Sequence, residues 1–98
     1  MAAGRGQTDA VQYLRQIGIR PPCAITSSRV AVPYTLPTAY YLDCSYQWRM
    51  TRLTSADGRR VVVLMRRGTP PPPFAQHWPA HRLPKTAGDV VAYVEPRG

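Results

Sequence analysis

The sequence predicts an α+β fold: a short amino-terminal helix packed on an antiparallel sheet of about three to four strands, with a proline-rich crossover before the last strand. Three stretches carry that expectation. Val11, Leu14 and Ile17 recur at helical spacing. Tyr40, Leu42, Cys44, Tyr46, Trp48 and Met50 fall on even positions, with Asp43, Ser45, Gln47, Arg49 and Thr51 between them, which is the two-residue period of a half-buried strand. Pro70 to Pro73 run consecutively, and sheet-forming sequence then resumes at Asp89.

At the amino terminus, residues 1–8 read as a flexible lead-in. Thr8 and Asp9 can accept hydrogen bonds from the free amides of a first turn, so the helix is expected to begin at Ala10 and to stop at Gly18. A helix of this length is not stable alone and needs a surface to cover. Pro21-Pro22 turns the chain out of the helix. Ala24 to Val32 then suggest a short strand that Pro33 and Pro37 confine to a sheet edge.

The stretch from Tyr40 to Arg67 reads as a long basic β-hairpin. Ser55-Ala56-Asp57-Gly58 supplies its turn, Gly58 can take positive φ, and Val61 to Met65 form an apolar return strand between two arginine pairs. Residues 69–86 form the proline-rich connection, expected to cross from one sheet edge to another with Phe74 and Trp78 anchoring it by burial. Asp89 to Glu95 make the final strand, halted by Pro96.

A chain of 98 residues with 44% hydrophobic residues is one small domain, 1–98, and is too apolar for wholesale disorder despite 11 prolines. Thirteen Lys and Arg against five Asp and Glu give a net charge of +8, and Lys85 is the sole lysine. Such a surface attracts polyanions, and arginine offers them planar paired donors. A GC-rich genome would account for arginine over lysine, but not for the excess of positive charge. No signal peptide or membrane span is legible, so a soluble, cytoplasmic protein without a membrane partner is expected. Two cysteines are too few for a secreted disulfide scaffold. A buried free thiol is the default for Cys44, and a bridge to Cys23, which needs an oxidising compartment, is the alternative.

Chemistry is sparse. His77 and His81 flank Pro79, and neither cysteine has a partner at short zinc spacing, so no metal or cofactor is expected. The acidic residues are scattered, and there is no nucleophile elbow or glycine-rich phosphate loop, which argues against an enzyme. Two binding hypotheses follow. In the first, a non-catalytic protein docks on nucleic acid, a nucleoprotein assembly or an acidic protein surface through Arg49, Arg52, Arg59, Arg60, Arg66 and Arg67 of the hairpin. In that reading Tyr41, Tyr46 and Trp48 are available for stacking unless the sheet buries them. In the second, Phe74, Trp78 and Arg82 bind a protein partner. Arg67 ahead of the proline run also fits a basic polyproline ligand. A phage or mobile-element accessory, assembly or inhibitory protein, including one that blocks a host defence complex, has this size and style.

Overall fold

The computed structural model describes residues 5–27, 35–48 and 58–96. The fold is α+β, and the described residues form two α-helices and a five-stranded mixed sheet. In chain order the elements are α1 (Arg5–Gln16), β1 (Cys23–Ser27), α2 (Thr35–Leu42), β2 (Ser45–Trp48), β3 (Arg60–Arg66), β4 (Ala80–Arg82) and β5 (Val90–Val94). The sheet order is β2-β1-β3-β5-β4. β1 pairs in parallel with β2 and with β3, and β5 runs antiparallel to β3 and β4.

Several expectations are corrected here. Tyr40 to Trp48 is no single strand, because Tyr40 to Leu42 close α2 and only Ser45 to Trp48 are extended. Thr35, Thr38, Ala39 and Leu42 are the buried residues of α2, a three-and-four spacing that overrides the apparent period of two. Pro37 is compatible with this helix because it lies in the first turn, where its missing N–H has no intrahelical carbonyl to meet. No hairpin joins β2 to β3, since β1 lies between them and pairs with both. β1 is therefore central and not an edge. All five of its residues are buried, and no proline falls within Cys23–Ser27. The sheet is mixed because the connection through α2 returns β2 parallel to β1.

α1 begins at Arg5, so Thr8 and Asp9 lie within it and do not cap it. The Asp9 carboxylate instead accepts a hydrogen bond from the Thr86 hydroxyl, which ties α1 to the 3-10 turn Lys85–Ala87. α1 does stop at Gly18, whose φ is +96°. There the Gly18 and Ile19 amides bond the Arg15 and Leu14 carbonyls. α2 ends in the same motif, with Asp43 at φ +60° in the glycine position and the Asp43 and Cys44 amides bonding the Tyr40 and Ala39 carbonyls.

The two faces of the sheet have different covers. Ala10, Val11 and Leu14 of α1, with Ala39 and Leu42 of α2, pack over Cys23, Ile25, Val62, Leu64, Val90, Ala92 and Val94. On the opposite face, Ala24, Val61, Val63 and Met65 are covered by Ala75, Phe74, Trp78 and Tyr93. The proline segment thus anchors through Phe74 and Trp78, whose rings meet edge to face at 5.5 Å. It runs from the interior strand β3 to the edge strand β4, and not from edge to edge. Because both faces are covered, the run Val61–Met65 is buried throughout.

Cys23 and Cys44 form a disulfide, so Cys44 is not a free thiol. Ala24 pairs with Ser45, which sets the two cysteines opposite one another at the starts of adjacent parallel strands, with 4.7 Å between their α-carbons. That separation is the ordinary spacing of neighbouring strands and suits a bridge.

Candidate polyanion-binding end of the sheet

β1, β2, β3 and β4 all point the same way, so the sheet has a base where they begin and a tip where they end. Among the arginines expected in a hairpin, Arg49 and Arg52 lie outside the described residues. The other four divide between base and tip. Arg59 and Arg60 are at the base, and Arg66 and Arg67 at the tip. With about 3.3 Å of rise per residue, the ends of β3 are roughly 20 Å apart. That is about twice the Debye length at 0.1 M salt, so the two pairs do not make one patch.

The base pair is engaged within the protein. Arg60 is half-buried and its Nε donates to the Glu95 carbonyl at 2.9 Å. The Glu95 carboxylate accepts from the Val61 amide at 3.0 Å, and the Glu95 amide donates to the Val61 carbonyl at 2.9 Å. Arg60 therefore helps fasten the chain leaving β5 to the start of β3. Arg59 Nη1 donates to the Ser45 hydroxyl at 3.0 Å, and that hydroxyl donates in turn to the Cys23 carbonyl at 3.3 Å.

At the tip the arginines are open. Arg66 and Arg67 are both exposed, and neither side chain forms a hydrogen bond or ion pair among the described residues. Arg66 pairs across the sheet with Val90, and Arg82 pairs with Val91 from the other side of β5. Arg82 therefore stands at the same end, two strands away. Neighbouring strands are about 4.8 Å apart, so the lateral offset is about 10 Å. Alternation puts Arg66 on the helix-covered face and Arg82 on the other, so the two cations straddle the sheet end. Lys85, also exposed, follows in the turn that leads from β4 to β5. Asp89 is an exposed carboxylate at this end, and its backbone carbonyl accepts from the Arg67 amide at 2.7 Å.

The tip is also where the parallel core of the sheet opens. β1 leaves through α2 toward β2 on one side, while β3 adjoins β1 on the other, an arrangement that places the carboxyl ends of β1 and β3 at a switch in strand order. Ser27, at the end of β1, pairs with Trp48 and with Leu64, so Arg66 reaches two residues beyond it on the neighbouring strand.

Of the residues expected to contact a partner, Phe74 and Trp78 are half-buried against the second core, while Arg82 belongs to the tip cations. No group of three or more His, Cys, Asp or Glu among the described residues is placed to hold a metal ion. No helix among the described residues is long and apolar enough to cross a membrane. Sequence reasoning missed two features: Lys85 as a member of the tip, and the outward placement of Tyr40 on α2. The first was hidden because the proline segment was read without β4 inside it. The comparisons with known proteins bring no match, whether of protein-family models, curated proteins or solved structures.

Proposed function

We propose that this is a non-catalytic binding protein that docks on nucleic acid or a nucleoprotein assembly through the cations at the tip of its sheet. The observation that carries the reading is the state of Arg66, Arg67, Arg82 and Lys85: all four are exposed, and none has an ion-pair partner among the described residues. Unpaired guanidinium groups retain their full complement of donors for phosphate. They also contribute little to folding, which leaves binding as the physical reason to gather them at one end. The chain's net charge of +8 strengthens the attraction at long range.

The test is a fluorescence-anisotropy titration with a labelled oligonucleotide over a series of salt concentrations, using the protein and its Arg66→Ser, Arg67→Ser, Arg82→Ser variant. Each phosphate contact releases condensed counterions, so loss of three contacts lowers the log-log salt slope by about two to three units. An unchanged slope in the triple variant sinks the assignment to the tip. Absence of binding at low salt sinks the nucleic-acid reading itself.

A further inference from the structure

α2 is covered on one side only. Its inward residues reach the core, but Leu36, Tyr40 and Tyr41 remain 59%, 77% and 55% exposed. A single exposed apolar side chain needs no explanation. Three large ones on an eight-residue helix make an unpartnered face. Leu36 and Tyr40 are four apart and so adjoin on the helix surface. The Tyr40 and Tyr41 rings meet edge to face, with centroids 5.4 Å apart and planes at 90°.

A cation is held at the backbone of the same helix. Arg15 of α1 donates through Nη2 to the Tyr41 carbonyl at 2.8 Å. The side chain is exposed and forms no ion pair among the described residues, so its remaining donors stay available to an anion. α2 therefore carries two exposed aromatic rings and, at the Tyr41 carbonyl, a positioned guanidinium. A second copy of this chain is a poor occupant, because it carries the same charge of +8. A purely apolar protein surface would leave the guanidinium unused. A partner that joins planar aromatic groups to phosphates uses both parts.

We infer that α2 is a stacking surface for the bases of single-stranded nucleic acid, with Arg15 taking an adjoining phosphate. The inference rests on the polyanion reading above and narrows it, because bases paired within a duplex do not present their faces to a protein surface. It also gives the tyrosines a role separate from that of the tip, which contributes charge alone.

The experiment compares binding of the full chain to a labelled oligothymidylate of about twelve nucleotides and to an abasic strand of the same length and phosphate number. The protein is expected to bind the base-bearing strand about tenfold more tightly. Tyr40→Ala with Tyr41→Ala is expected to abolish that preference and leave abasic binding as it was. Tyr40→Phe with Tyr41→Phe keeps it, since a phenyl ring still stacks. Circular dichroism checks that the exposed substitutions leave the fold intact. Equal affinity for both strands overturns the stacking surface while the tip reading stands. A preference that survives in the alanine variant, or a loss of abasic binding in it, overturns the placement on α2. Failure to bind either strand removes the polyanion reading and this inference together.

Discussion

The two ends of β3 carry the same sequence motif, a pair of arginines, and the fold treats them in opposite ways. At the base, Arg59 and Arg60 are drawn into hydrogen bonds with Ser45 and with the Glu95 carbonyl, beside the Cys23–Cys44 disulfide. At the tip, Arg66 and Arg67 meet solvent, and Arg82 and Lys85 join them. The difference follows from the neighbours. The base is where the chain leaving β5 passes β3, so an acceptor is present and the cation closes a seam. At the tip, where β3 and β4 finish, no side chain among the described residues receives the Arg66 or Arg67 guanidinium. Identical charge in the sequence is thus bonded within the fold at one end and left open to solvent at the other.

The base should lose most when it is cut. Replacing Cys23 and Cys44 with alanine opens a loop closed across a sequence separation of 21 residues. The chain-entropy estimate for that length is about 3 kcal/mol of stability. Urea denaturation of the oxidised protein and of the double variant measures it, and a thiol titration of the unfolded protein confirms the bridge. Equal midpoints would mean that the base is not held by its disulfide.

Arg60→Leu comes next. It removes a charged donor from the Glu95 carbonyl while leaving the half-buried stem in place. Hydrogen bonds of this kind contribute up to about 3 kcal/mol, and partial exposure reduces the figure to about 1.5. The variant should unfold at lower urea and keep the salt slope of oligonucleotide binding. A fall in that slope with no loss of stability would reverse the assignment of the base to structure.

The elements set by local pattern were legible in the sequence. Val11 and Leu14 do face the core from a helix, and Val90–Val94 is a strand. The error lay where two periods overlap. Tyr40, Leu42, Cys44 and Tyr46 alternate as a strand would, but the helical set Thr35, Thr38, Ala39 and Leu42 starts earlier and wins, because burying it completes the cover over β1. The sheet order was hidden for a different reason. Parallel partners such as Cys23 and Arg60 are remote in sequence, and no turn between them announces the pairing. The candidate site was half legible: composition gave its charge, but which arginines stay free depends on Glu95 and Ser45, whose positions only the fold reveals. The misread strand also put Tyr40 on a buried face when it is in fact well exposed.

A smaller change at the base should act in the opposite direction. Asp43 ends α2 with φ at +60°, in the same motif that Gly18 completes for α1. An L-residue other than glycine is strained there, and a carboxylate at a helix carboxyl end also opposes the helix dipole. Asp43→Gly is therefore expected to raise stability by about 1 kcal/mol, read as a higher urea midpoint. A lower midpoint would show that the Asp43 side chain does more for the turn than its backbone costs.

The smallest effect on stability is expected at the tip, and this gives the sharpest form of the comparison. Arg66 and Arg67 make no side-chain hydrogen bond or ion pair among the described residues, so their replacement by serine removes no interaction that holds the fold. Exposed substitutions of this kind shift stability by no more than about 0.5 kcal/mol in either direction. Relief of like-charge repulsion between neighbouring cations favours the positive side of that range. If the double variant unfolds at an unchanged urea midpoint yet binds oligonucleotide with a shallower salt slope, stability and binding are divided between the two ends of one strand. A destabilisation comparable to that of Arg60→Leu would instead place the tip arginines among the groups that hold the sheet together, and the case for a binding surface there would lose its physical basis.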